Sequence, residues 1–190
     1  GEGGAIILYS NKIYEKIRSI CNNGMTKPAL KRFENNKYQH WDVNSFGFKA
    51  NLSDVNATLL KDQITKYKRA SLKRKNLYSF FAKKLSKINQ ISIPKNNIKG
   101  IRDYHLFPIG VPAKLRDKVI SYLNSQKIQV TVNYRSIQEL NYYKKKYKKI
   151  NCRNSLLWGN QTISLPFHQK LNKNDIIYIY KKLNNFFKKR

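Results

Sequence analysis

The side chains best suited to chemistry in this sequence are three histidines, His40, His105 and His168, and two cysteines, Cys21 and Cys152. A metal site needs such ligands at short repeated spacings, as in His-Glu-x-x-His or paired Cys-x-x-Cys, and neither pattern occurs. Loops that cradle phosphates follow a strand and open a helix. Gly1, Gly3 and Gly4 instead precede a strand-like run, so neither the dinucleotide nor the P-loop fingerprint applies. Serine, histidine and aspartate are all present, but no nucleophile elbow is. Cys152 has Arg153 beside it, a neighbour able to activate a thiol, and the plainer reading is an exposed, unreactive one. His105 and His168 read as structural residues at the edges of strands.

Charge is the loudest signal. Lys and Arg number 39 against 10 Asp and Glu, a net +29, which would attract nucleic acid, anionic lipid or phosphorylated substrates. Lysine far outnumbers arginine, however, and Asn, Ile and Tyr are abundant, a joint bias expected of an A+T-rich genome. The lysines are spread along the chain and not gathered into one stripe that could track phosphates. The mixed tyrosines and lysines of Tyr142 to Lys149 could stack on single-stranded nucleic acid, and a wet helix or loop is the simpler reading. No run of about 18 apolar residues exists to span a membrane, and Ala5 to Tyr9 is too short for a signal-peptide core. A cytoplasmic protein is expected.

The elements that must position any site follow from periodicity. Ala5-Ile6-Ile7-Leu8-Tyr9 suits a strand buried on both faces. Ile13, Ile17, Ile20 and Cys21 then mark one face of a helix, capped by Ser10 or Asn11 and stopped at Gly24, with Cys21 as a small buried thiol. Met25 to Phe46, with Pro28, has no period and reads as a long loop. Ser53 and Asp54 open a long helical stretch whose apolar face runs through Val55, Leu59, Leu60, Ile64 and Tyr67 to Leu77, Phe80, Phe81, Leu85 and Ile88.

After Pro94, strand and helix alternate. His105 to Val111 reads as a strand, Ala113 to Asn124 as a helix, Ile128 to Tyr134 as an alternating strand, and Gln161 to Leu165 as a last strand closed by Pro166. Asn172 and Asp175 form a capping box for a terminal helix with Ile176, Tyr180, Leu183 and Phe187 inward. The domain plan is therefore residues 1–52 as the end of one domain (strand, helix, long loop), 53–90 as a long interdomain helix, and 91–190 as a small α+β domain.

Read as ordered landmarks, the chain resembles the DegT/DnrJ/EryC1/StrS family of pyridoxal phosphate (PLP)-dependent nucleotide-sugar aminotransferases. Gly1-Glu2-Gly3-Gly4-Ala5-Ile6-Ile7 is similar to the turn and strand just after the family's PLP-binding lysine. Gly47-Phe48-Lys49-Ala50-Asn51-Leu52-Ser53-Asp54, followed by Val55-Asn56-Ala57, is similar to its loop into the long helix. Tyr104 to Ile109, Val130 to Arg135 and Ile163 to His168 resemble three strands of its small domain, in the right order.

The resemblance implies an α+β fold: the C-terminal small domain of a fold-type I aminotransferase, a long bridging helix and a remnant of the α/β large domain. It also implies that the PLP-carrying lysine lies about five residues before Gly1, so this chain is expected to be a C-terminal half with no catalytic residue of its own. Lys49 and Asn51 would reach the PLP phosphate of a partner subunit, and Asn133, Tyr134 and Arg135 would lie near the nucleotide-sugar. Many relatives carry His where Asn133 stands, and a structural role for Asn133 stays open. A homodimer or a complementing N-terminal half is the expected partner, with an amino-acid donor as second substrate. Two other functions remain open at this point: a non-enzymatic remnant, and a basic nucleic-acid-binding domain whose affinity would fall steeply with salt.

Overall fold

A computed structural model describes residues 4–27, 37–95, 102–147 and 150–188. Gly1, Glu2 and Gly3 of the first landmark, Pro28 of the loop and Lys149 of the Tyr-Lys segment lie outside these residues. The chain divides into two compact units, Gly1–Thr65 and Lys66–Arg190.

In the first unit, helix α1 spans Asn11–Cys21 and Ser10 caps it, its side chain accepting from the Ile13 amide. The stop uses two left-handed residues, Asn23 and Gly24, where the sequence singles out only the glycine. The expected strand over Ala5 to Tyr9 does not form: these residues carry no strand pairing, and Ile7 is 86% exposed. A strand is stabilised by ladder bonds to its neighbours, and no described segment supplies them. For the same reason the apolar stripe of α1 is only partly covered. Ile13 is exposed, none of the helix residues is buried, and Cys21 is half-buried where a buried thiol was expected.

Helix α2 runs as one α-helix of 32 residues over Asp54–Leu85. Ser53 caps it, its hydroxyl accepting from the Asn56 amide at 3.4 Å and its carbonyl from the Ala57 amide at 2.9 Å. No glycine or proline interrupts it, which is why the period holds over so many turns. The division between the two units falls inside α2, and only Leu77, Tyr78, Phe81 and Leu85, near its C-terminal end, are buried.

The second unit holds the core. Strand β1 (Phe107–Gly110) pairs antiparallel with β2 (Thr162–Leu165), so that Phe107 faces Leu165 and Ile109 faces Ile163. Alternation puts these four on one face, all essentially inaccessible, against Phe81 and Leu85 of α2. The Phe81 and Phe107 rings stack at 4.4 Å. Helix α3 (Arg116–Ser125), entered through a 3-10 turn at Ala113–Leu115, adds Val119 and Leu123. A short helix α4 (Asn141–Lys146), another 3-10 turn at Ile137–Glu139 and helix α5 (Arg153–Gln161) follow. Periodicity had not marked α5.

Helix α6 (Lys173–Lys188) closes the core with Ile176, Ile179, Leu183, Phe186 and Phe187 buried, and the expected inward Tyr180 is half-buried. Its capping box forms as the sequence implies. The Asn172 side chain accepts from the amides of Asn174 and Asp175 at 2.8 and 3.1 Å, and the Asp175 carboxylate accepts from the Asn172 amide at 2.9 Å.

Two isolated bridges widen the sheet, Ser92 to Gly110 at one edge and Thr131 to Ser164 at the other. The second is what remains of the expected strand over Ile128 to Tyr134. Its in-out alternation is present, with Ile128 and Val130 buried and Gln129 and Thr131 exposed, but the backbone pairs only at Thr131. A pattern of burial needs alternating side chains, whereas a strand needs a second ladder rung as well.

Candidate functional site

The clearest local construction in the first unit is a clamp between the end of α1 and the segment around Gly47. A helix leaves its last carbonyls without partners. Here the Phe48 amide donates to Ile20 O at 2.6 Å and the Ala50 amide to Cys21 O at 2.9 Å, while the Asn23 amide returns a bond to Phe48 O at 3.0 Å. Gly24 and Gly47 make this approach possible. A Cβ on Gly24, whose φ is +74°, would overlap the Ser45 carbonyl, and one on Gly47 would overlap the Gly24 amide nitrogen. Lys49 bridges Asn22 between the two bonded amides, so the loop's backbone is held along its length.

Lys49 and Asn51, two residues apart, both line a cleft of about 520 Å³. Arg18 and Ser19 of α1, Thr26, and the carboxylates of Glu15 and Asp54 share its walls. Arg18 is the residue that sequence reasoning missed here. It lies in the last turn of α1, on a helix whose clearest sequence signal is its apolar stripe, and its guanidinium donates only to the Tyr14 hydroxyl among the bonds described, at 3.4 Å. The donors on these walls, an ammonium, an amide, a guanidinium and a hydroxyl, suit one phosphate group. The two carboxylates make the cleft unsuited to a larger polyanion, so the residues present fit the phosphate end of PLP and no other part of it.

The second unit separates the other three candidates. The Thr131 hydroxyl donates to Asn133 Oδ1, so that amide oxygen is engaged within its own segment, and Tyr134 is 71% exposed. Arg135 lines a cleft of about 430 Å³ with Gln138, Glu139, Lys144, Tyr147 and Asn151, which includes neither Asn133 nor Tyr134. The cleft has a rigid frame. The Gln138 side chain donates to Cys152 O at 2.9 Å and to Ser136 Oγ at 3.1 Å, and accepts from the Cys152 amide at 3.0 Å. Ser136, 3% exposed, shares a 2.9 Å hydrogen bond with Ser155 of α5. Gly159 permits the close packing, because a Cβ there would come within 2.6 Å of the Ser136 amide. The structure therefore joins Arg135 to Gln138 and Glu139 of the 3-10 turn and to Lys144 and Tyr147 of the Tyr-Lys segment, which the sequence presents as a wet helix or loop.

His40, His105 and His168 are exposed and lie in neither cleft, and among the described residues no group of His, Cys, Asp and Glu is placed to hold a metal ion. No described helix is long and apolar enough to cross a membrane.

Comparison with known proteins gives these clefts a context. The model of the DegT/DnrJ/EryC1/StrS aminotransferase family matches residues 1–184. A spore coat polysaccharide biosynthesis protein, SpsC of Bacillus subtilis, is 25% identical over 183 residues, 93% of this chain and 47% of its own length. A UDP-4-amino-4,6-dideoxy-N-acetyl-beta-L-altrosamine transaminase of Campylobacter jejuni is 27% identical over 188 residues, 94% of this chain and 46% of its own. Among solved structures, the Helicobacter pylori aminotransferase PseC, involved in pseudaminic acid biosynthesis, superposes with a TM-score of 0.82 at 19% identity, covering 95% of this chain and 47% of that one. A Streptococcus pneumoniae protein described as a sugar aminotransferase, in its PMP form, gives 0.83 at 21%, covering 96% and 46%. The fold is thus the α+β arrangement of fold-type I aminotransferases over about half of such a chain. This chain likewise spans about half the length of the curated relatives it matches.

Proposed function

The chain belongs to the DegT/DnrJ/EryC1/StrS aminotransferase family, and from that premise we propose that it is the C-terminal half of a PLP-dependent enzyme that transfers an amino group from an amino acid to a keto nucleotide-sugar. The observation that carries this reading is the extent of the match: residues 1–184 here, against 46–47% of each curated relative. By the landmark order, the part not represented is the one that carries the PLP-binding lysine. The half alone is then inactive, and it works when an N-terminal half is supplied, in a dimer that shares its active sites.

PLP, when bound, supplies the electron sink that makes the donor's α-carbon acidic. The residues of this chain have a narrower task. Lys49 and Asn51, held by the clamp on the end of α1, would donate to the phosphate of a cofactor carried by the partner subunit, and Arg135 would meet the pyrophosphate of the sugar nucleotide. None of the chain's own lysines occupies the matching catalytic position. Charge-assisted hydrogen bonds of this kind are worth about 1.5–3 kcal/mol each.

Two measurements test the reading. Borohydride reduction of the chain with PLP alone should give no single stoichiometric pyridoxyl-lysine, and finding one at a defined site would overturn the assigned half. Co-expression with a lysine-bearing N-terminal half should restore the visible absorption of bound PLP. Lys49→Ala and Asn51→Ala should each then weaken PLP retention by roughly tenfold without preventing assembly. If both variants retain PLP as the parent does, the loop is only a clamp.

A further inference from the structure

Around α4 the second unit displays an apolar surface. Every residue of α4 is exposed, and so are Ile137 and Leu140 before it and Tyr147 and Ile150 after it. A helix this short gains too little from its own backbone bonds to hold its shape alone. It is held by the turn before it, which the Gln138 side chain ties to both backbone groups of Cys152. Single exposed apolar side chains are ordinary, whereas an adjoining group of them marks a contact surface. Here they adjoin: the Tyr142 and Tyr143 rings meet at 5.2 Å, Tyr143 stacks on Tyr147 at 6.4 Å, and Tyr147 shares a cleft wall with Ile150.

Lysines lie among these groups. Between Tyr134 and Leu157 the sequence holds seven bases and a single acid, Glu139, which is half-buried. Lys144, Lys145 and Lys146 follow one another on α4, and the Lys146 ammonium lies 5.6 Å from the ring centroids of both Tyr142 and Tyr147. Positive charge and aromatic rings are therefore presented together.

Three kinds of partner could meet such a surface, and each uses different parts of it. Protein interfaces bury aromatic residues but keep lysine out of their centres. A single-stranded nucleic acid would use the tyrosines and lysines and gain little from Ile137, Leu140 and Ile150. A bilayer with anionic headgroups uses all three sets: aliphatic side chains enter the acyl boundary, tyrosines settle at headgroup depth, and lysines meet the negative charge. We propose that this surface docks the protein on an anionic lipid bilayer. The chain would lie on the membrane and not cross it, and no described helix is long and apolar enough to cross one. The frame of Gln138, Ser136 and Ser155 is formed before contact, which lowers the ordering cost of docking.

The test is flotation of the full chain, at physiological salt, with vesicles of phosphatidylcholine alone and with vesicles of equal parts phosphatidylcholine and phosphatidylserine. The chain should float with the second kind and stay behind with the first. A net charge of +29 attracts anionic vesicles wherever it lies, so variants must locate the contact. Ile137→Ser combined with Ile150→Ser leaves every charge in place and should weaken binding by about tenfold. Lys145→Ala should weaken it by about fivefold, while Lys118→Ala on the exposed face of α3 should leave it unchanged. All four positions are exposed, so the fold should stand in each variant. Binding should also persist when a lysine-bearing N-terminal half is co-expressed. Equal losses from Lys145→Ala and Lys118→Ala, or no loss from the paired isoleucine change, would overturn the proposal and leave only diffuse attraction of charge. Loss of binding in the two-half complex would overturn it by showing that the other half covers the surface. No flotation with either vesicle, alongside binding of an oligothymidylate that Tyr142→Ala weakens, would make it a nucleic-acid surface instead. The aminotransferase reading is untouched by any of these results, because PLP retention reports on the Lys49 cleft.

Discussion

Helices α1 and α6 carry the same kind of apolar stripe and have opposite fates. In α1, Ile13, Ile17, Ile20 and Cys21 recur at helical spacing and none is buried, whereas in α6 five residues are. Helix α2 repeats the contrast within a single element: Val55 and Leu59 are 74% and 65% exposed, while Phe81 and Leu85 are fully covered. The stripe specifies a face that gains from cover. What covers it is set by other parts of the chain, or of another chain, and the difference between the two units is one of neighbours and not of local pattern.

The strongest way to break this comparison is to truncate the same kind of residue in both units. Phe81→Ala and Leu123→Ala remove fully buried side chains, and each should cost about 2–5 kcal/mol in urea unfolding of the full chain, followed through Trp158. Val55→Ala and Leu59→Ala, on exposed positions, should stay within about 0.5 kcal/mol. Equal losses in both sets would mean that the N-terminal part of α2 is covered in solution.

The helix caps sharpen the contrast at a smaller scale. The Asn172 side chain accepts from two amides and its own amide donates to the Asp175 carboxylate, while the Ser10 side chain accepts a single bond at 3.4 Å. Asn172→Ala should lower the stability of the second unit by about 1 kcal/mol. Ser10→Ala should leave the main unfolding transition where it is, because α1 has no fully buried residue and belongs to the first unit, outside the core that the transition exposes.

The smallest expected effect concerns Asp103, whose carboxylate pairs with Arg74 of α2. Burial pushes its pKa up, but hydrogen bonds from Arg74, Tyr67 and Ser71 and the charge of Arg74 outweigh this and hold it below the usual carboxylate value. A depressed folded-state pKa contributes stability that is fully present above the ordinary value near 3.8 and is lost as pH falls through the lower one. Asp103→Asn should therefore be slightly less stable than the parent at neutral pH and converge with it under acid. The difference should be small, since the Asp103 side chain is 39% exposed and screened by solvent. A gap that persists at low pH would mean that the residue matters for packing and not for charge.

Local chemistry was legible from the sequence. Ser10, Ser53 and the Asn172–Asp175 box are caps because side chain and backbone lie within one helical turn, and β2 ends before Pro166 because proline has no amide to donate. The landmark order from Gly47 to His168 was legible too, and with it the family.

Three features depended on contacts between residues distant in sequence. The run Ala5 to Tyr9 has the composition of a buried strand and no partner among the described residues, and Ile128 to Tyr134 keeps its alternation but pairs only at Thr131. The cleft at Arg135 draws on residues up to Leu156, joined through Gln138 and Cys152, 14 positions apart. Sequence by itself determined which segments turn, cap and present an apolar face, because those depend on bonds a few residues long. Which faces are buried, and which of Asn133, Tyr134 and Arg135 shares a cleft with Glu139 and Lys144, was decided only by the tertiary structure, because burial and cleft lining depend on distance in space.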